Sequence, residues 1–170
     1  MREIIYNKDN LKEEEITEIK RKVKILLVNS NNEILLVYSN HEYHFPGGKV
    51  EKNENLEETV IRELKEETGI KLNISKLDHF ILSKGYYKDW PTIGKNRKIE
   101  IYYYEIKTDE LANPYNMKLT ENEQKGNFKI KYIPLDDIEN ILIENVKKYG
   151  DPHSITKEML PVIKIYKERK

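Results

Sequence analysis

Residues 48–70 read GKVEKNENLEETVIRELKEETGI, and the rest of the chain is arranged around them. Asn55 carries an N-cap side chain, and Glu58, three residues on, completes a capping box. No Gly or Pro interrupts residues 56–68, and Gly69 stands where a left-handed C′ residue ends a helix. At about 100° per residue, Leu56, Val60, Ile61 and Leu64 share one arc, the expected buried stripe. Glu63, Glu66 and Glu67 fall within an arc of roughly 100° beside it. Like charges at these spacings repel by about 0.2–0.5 kcal/mol per pair. The crowding gains the fold nothing unless a cation sits there.

An all-oxygen donor set suits a hard divalent cation, Mg²⁺ or Mn²⁺, rather than zinc. The chain has no Cys, and no His follows the helix at ligand spacing. Taken alone, three glutamates on a helix also fit a solvated face in a chain that is 35% charged.

The whole stretch says more. Gly48, Glu54, Arg62, Glu63, Leu64, Glu66, Glu67, Gly69 and Ile70 fit without departure the G-x5-E-x7-R-E-U-x-E-E-x-G-U box, U being bulky and apolar. The chain thus resembles the Nudix (MutT-type) hydrolases, and Phe45-Pro46-Gly47-Gly48 just upstream is similar to the family's loop before the box. The resemblance implies the Nudix fold, an α/β/α sandwich with a mixed β-sheet. It also implies Mg²⁺-dependent hydrolysis of the diphosphate linkage in a nucleoside diphosphate joined to another group. Glu63, Glu66 and Glu67 would seat the metal with the Gly47 carbonyl. Gly48, Glu54 and Arg62 would brace the loop against the helix, and Lys49 would reach a phosphate. The base would be Glu66 or a loop glutamate, Glu123 ahead of Glu121. Outside the box, Tyr about 16–18 residues beyond it resembles the dinucleoside polyphosphate type, while a MutT-type nucleoside triphosphate pyrophosphatase fits equally. A nucleotide-binding sensor of the same family is the alternative, although such proteins commonly have a degraded box. The isomerases of this fold use a Cys that is missing here.

Working outward, 170 residues without a linker-like shift in composition make one domain. We place it at 21–170, including the C-terminal helices, with 1–20 as an N-terminal extension that could open a short helix or approach the first strand. Thirty basic and thirty acidic residues balance, so charge gives no argument for a nucleic-acid or membrane partner. No apolar run approaches the roughly 18 residues of a membrane span, and no signal-peptide core is present. A cytoplasmic protein acting on a small nucleotide is the expectation, and a homodimer is compatible with it.

Val23–Val28 and Glu33–Tyr38 are apolar runs around Asn29-Ser30-Asn31-Asn32, a hairpin signal, and their near-continuous hydrophobicity predicts strands covered on both faces. Residues 72–84 alternate in the β manner, and Arg97–Lys107 is the clearest strand. Between them Tyr86, Tyr87 and Trp90, in a turn-rich stretch, are candidates for a nucleobase platform, with Arg97 a further substrate-binding candidate. Residues 108–127 read as a long loop, 128–133 as a closing strand, and 135–148 and 154–167 as amphipathic helices, the second capped by Ser154 or Asp151. His41, His44, His79 and His153 share no spacing that argues for catalysis and are read as structural or exposed.

Overall fold

The computed structural model describes residues 2–72 and 77–169. The two apolar runs pair as predicted. β2 (Glu18–Val28) turns through Asn29–Asn32 into β3 (Glu33–Ser39), antiparallel with Leu27 opposite Leu35. The strands after the box are β5 (His79–Tyr87) and β6 (Arg97–Lys107), themselves antiparallel. β6 lies parallel to β2 along all eleven residues of each. With β1 (Arg2–Tyr6), β4 (Glu42–His44) and β7 (Lys129–Pro134), the sheet runs β1-β5-β6-β2-β3-β4, and β7 pairs with β3.

Period-2 alternation gives this sheet two apolar faces. Val23, Ile25, Leu27, Leu35 and Ile106 pack against Val60 and Leu64 of α1 (Leu56–Thr68). On the other face Leu26, Val28, Ile34, Leu36 and Ile101 meet α3 (Ile138–Tyr149) and α4 (Ile155–Glu168) through Leu142, Val162 and Ile163. The result is the expected α/β/α sandwich on a mixed sheet.

Four local readings need amendment. Arg2–Tyr6, placed in an extension, form an edge strand parallel to β5, followed by a 3-10 turn at Glu13–Glu15. Gly85, Tyr86 and Tyr87, read as loop, finish β5; part of the 72–84 reading, 73–76, lies outside the described residues. The 108–127 loop contains a 3-10 turn at Pro114–Asn116 and a short helix, α2 (Glu121–Lys125), with a Thr120–Glu123 capping box. Ile61 is exposed, and Thr59 and Thr68 flank Val60 and Leu64 in the buried stripe instead. Between the two candidate caps of α4, Asp151 accepts the Thr156 and Lys157 N–H groups, while Ser154 makes no side-chain cap bond.

Candidate active site

Helix α1 begins and ends as its sequence dictates. The Asn55 side chain accepts the Glu58 N–H, the Glu58 carboxylate accepts the Asn55 N–H, and Gly69 closes the helix at φ 72°. This fixes which side chains face the Phe45–Gly48 loop. The Gly47 N–H donates to Glu67 Oε2 at 2.7 Å. A Cβ on Gly47, whose φ is +133°, would lie 2.2 Å from the Val23 carbonyl oxygen. A Cβ on Gly48 would lie 2.2 Å from Glu63 Oε1. Close approach to the sheet and a positive φ demand glycine at 47, whereas a side chain at 48 would displace the Glu63 carboxylate.

Arg62 holds this arrangement together. Its Nε and Nη2 donate to the two oxygens of Glu54 at 2.7 and 2.9 Å, and Nη2 also reaches the Lys49 carbonyl at 3.0 Å. Nη1 donates to Glu63 Oε1 at 2.7 Å and Glu66 Oε2 at 3.2 Å. The guanidinium fork thus ties the loop to the helix and neutralises part of the acidic row. Arg62 hydrogen bonding holds the Glu54 carboxyl down at about 2. Burial pushes Glu67 up to about 7; Glu63 and Glu123 add to the rise, and Lys24 and the Gly47 N–H oppose it. Burial raises Glu63 as well, against the pull of Arg62.

Among the described residues, no three carboxylate or imidazole side chains converge on one point as they stand. Glu63 and Glu66 are turned to Arg62, and Glu67 to the Gly47 N–H. The donor chemistry nevertheless fits a hard cation: three carboxylates and a carbonyl, with two of the carboxyls raised by burial and repelling each other. A divalent ion would relieve that repulsion and compete with Arg62 for two of its partners.

Beside Glu67 opens a cavity of about 450 Å³ lined by Lys24, Gly47, Glu42, His44, Glu123 and His153, with Val37, Phe128 and Ile155 as apolar wall. Lys24 sits at its base, its Nζ donating to the Phe45 and Gly47 carbonyls at 3.0 and 3.1 Å. Burial lowers the Lys24 pKa, and Glu67 opposes the fall. Burial, then Lys24 and His153, push His44 down to about 4, so its ring is neutral near pH 7.

The structure brings Gly47, Gly48, Glu54, Arg62, Glu63, Glu66 and Glu67 together and sets Glu123 across the cavity from the helix. Glu121 points outward, its side chain 87% exposed and paired with Lys125. The Lys49 side chain is exposed. The aromatic platform does not assemble at this cavity. Neighbours in a strand face opposite ways, so Tyr86 bonds Glu13 and lies by Lys98, while Tyr87 meets Trp90 on the other face. Arg97 stacks on Trp90 at 4.4 Å and pairs with Glu18 at 2.6 Å. Of the cavity residues, sequence reading passed over Lys24 and Glu42 and took His44 and His153 as structural or exposed. Lys24 had a visible signal, a lone cation inside the apolar run of β2; the others come together only through the fold.

A buried acidic helix braced by arginine against a Pro-Gly-Gly loop, on a mixed sheet between helices, defines a hydrolase of the Nudix class. The family model for the NUDIX domain matches residues 18–153, and the chain belongs to this family. It is a pyrophosphohydrolase of the Nudix type. Over 127 residues it is 32% identical to YtkD of Bacillus subtilis (strain 168), whose name proposes an 8-oxo-dGTP diphosphatase; the match covers 69% of this chain and 74% of that one. An 8-oxo-dGTP diphosphatase of Buchnera aphidicola subsp. Schizaphis graminum is 35% identical over 96 residues, 56% of this chain and 58% of that protein. The fold is shared with the MutT protein of Bacillus halodurans (TM-score 0.51, 23% identity, 71% and 72% of the two chains). It is also shared with the Nudix domain of Shewanella oneidensis NrtR, solved with ADP ribose (TM-score 0.53, 18% identity, 82% and 93%). Among the described residues, no helix is long and apolar enough to cross a membrane.

Proposed function

We propose that this enzyme hydrolyses a phosphoanhydride bond of a nucleoside triphosphate, with Mg²⁺, or Mn²⁺ in its place, held by Glu63, Glu66, Glu67 and the Gly47 carbonyl. The observation that carries the reading is Glu67, a buried carboxyl raised to about 7 that lines the cavity with Lys24 and Glu123. When bound, the ion would supply charge neutralisation on phosphate oxygens and acidify the attacking water. The chain's own residues do the rest. Arg62 fixes the loop and the acidic row relative to each other, so the donor set is preorganised. Lys24 brings an amine donor to the cavity that would face the anionic substrate. Glu123, one carboxylate oxygen bound by Thr120, is our choice to take the proton of the water, with Glu66 the alternative on the helix.

A triphosphate is favoured over a dinucleoside polyphosphate on two grounds. The curated relatives at 32% and 35% identity are named for 8-oxo-dGTP. Neither Tyr86 nor Tyr87, which carry the resemblance to the dinucleoside type, lines the cavity beside Glu67. Turnover measured with Mg²⁺ against nucleoside triphosphates, oxidised and unoxidised, and dinucleoside polyphosphates tests the reading. A folded protein that binds nucleotides and turns none over would belong with the family's sensors.

A further inference from the structure

Lys24 is the one charged residue in the apolar run of β2 from Val23 to Val28, and alternation puts it on the face of Leu26 and Val28. Its Nζ hydrogen-bonds two neutral oxygens rather than a carboxylate: the carbonyls of Phe45 at 3.0 Å and Gly47 at 3.1 Å. The Gly47 carbonyl is the backbone oxygen assigned above to the divalent ion. The N–H of the same residue donates to Glu67 Oε2 at 2.7 Å. Gly47 therefore lies between an amine and a carboxylate of the acidic helix. Burial works against charge on this amine, Glu67, Glu63 and Glu158 favour it, and Lys22 opposes it. His44, on the same cavity, is neutral near pH 7.

Resting on the reading of Glu63, Glu66, Glu67 and Gly47 as a divalent-cation seat, we propose that Lys24 is the resident cation of that seat. Its ammonium holds the Gly47 carbonyl in the metal-free protein. Binding of a divalent ion displaces it into the cavity, where the phosphates of the substrate would take it up.

Charge and geometry together lead to this exchange. A carbonyl oxygen has a second lone pair, but an ammonium and a divalent ion sharing it would stand only a few ångströms apart. At about 4 Å the repulsion between a single and a double charge is worth a factor of ten or more in affinity, even in water. The two do not share the oxygen. Lysine carries its charge on a flexible four-carbon stem, and the cavity of about 450 Å³ opens beside it. The amine can thus leave while the β2 backbone stays in place. A side chain that merely aimed the Gly47 carbonyl would aid the metal, whereas one that occupies the seat opposes it. The two roles differ in sign.

Mn²⁺ titrated into metal-free protein at pH 8, above the Glu67 value of about 7, separates them without any turnover. Calorimetry and the electron spin resonance of the free ion give the affinity. Lys24→Met, similar in length and uncharged, should bind Mn²⁺ about 10–100-fold more tightly than wild type. Glu67→Gln should bind it more weakly. A second measurement needs wild type alone. Reductive methylation mapped by mass spectrometry should modify Lys24 several-fold faster with Mg²⁺ than without, as the amine exchanges its carbonyls for the open cavity. Mn²⁺ binding by a folded Lys24→Met protein that equals or falls below that of wild type overturns the proposal. So does methylation of Lys24 that Mg²⁺ leaves unchanged or slows. If Glu67→Gln still weakens Mn²⁺ binding in those cases, the seat stands and only the role of Lys24 falls. Absence of Mn²⁺ binding in both wild type and Lys24→Met removes the seat itself, and this proposal with it.

Discussion

At the scale of single residues, Glu67 stands between two demands. Burial favours its neutral form, whereas a cation seat needs the carboxylate. The unfolded chain releases this proton near the ordinary 4.5 and the folded chain near 7, so between those values folding takes up a proton and stability from this group falls as pH rises. His44 acts in the opposite sense: held at about 4 against an ordinary 6.5, it makes unfolding take up a proton, and stability rises with pH over that window. The two offset each other in the wild type, but Glu67→Gln removes only the first. In metal-free buffer the variant should therefore gain stability over wild type as pH rises from about 4.5 to 7, by about 1–3 kcal/mol. Denaturant unfolding at a series of pH values measures it. Excess Mg²⁺ should stabilise the wild type and not the variant, and turnover of the variant should fall by orders of magnitude. A folded Glu67→Gln protein with near-wild-type turnover would remove the proposed seat. Arg62→Ala strands Glu54, Glu63 and Glu66 together, and we expect a loss of about 1–3 kcal/mol, read from the same unfolding curves.

At the scale of elements, α1 was legible almost completely, because caps, an uninterrupted interior and a terminal glycine are all local signals. Ile61 was misassigned because a stripe wide enough to include it exceeds what the sheet covers; the sequence holds the arc but not the width of the partner surface. Helix α2 was missed although Thr120 and Glu123 form the same kind of box that marked α1. Five residues are too few to show a period. Strand β5 was cut short at Gly85, whose turn signal lost to pairing with Ile99 of β6. Alternation sends Tyr86 and Tyr87 apart, and none of the three rings lines the cavity beside Glu67. Alanine at Tyr86 or Trp90 should accordingly leave KM for nucleotides within a few-fold of wild type, measured by steady-state kinetics. For α2 the expectation is the reverse. Gln at position 123 still closes the capping box, so Glu123→Gln should keep the helix while lowering kcat by about 10²–10⁴-fold, the range for a general base. KM should change less, and the acidic limb of the kcat pH profile should move. Glu121→Gln, exposed and paired outward, should stay near wild type. If both variants keep wild-type kcat, the base returns to Glu66.

For the molecule as a whole, the question is where the folding unit begins. Residues 1–20 read as an extension because a five-residue segment with two partly buried side chains, Ile4 and Tyr6, carries no period of its own. Its order comes from a partner some eighty residues away: Arg2–Tyr6 lie in parallel register with Ile81–Gly85. Around that pairing, Arg2 meets Glu168 of α4 and Lys84 meets Glu3, both at 2.7 Å and both exposed enough to add little. The stabilisation rests instead on backbone pairing and on Ile4 against the α3–α4 face of the core. The Phe45–Gly48 loop, α1 and Glu123 belong to other elements: the loop follows β4 and bonds β2, and Glu123 lies on α2. Deleting residues 1–6 should thus separate stability from chemistry. We expect a loss of about 1–3 kcal/mol and an uncovered β5 edge that promotes association at high concentration. Turnover per folded molecule should remain within a few-fold. Unfolding midpoints, light scattering and kcat on the same preparation give the three readings. A truncated protein that unfolds at the wild-type midpoint would make residues 1–6 a dispensable extension after all. A large fall in kcat at unchanged stability would tie β1 to the site by a route the sheet does not provide.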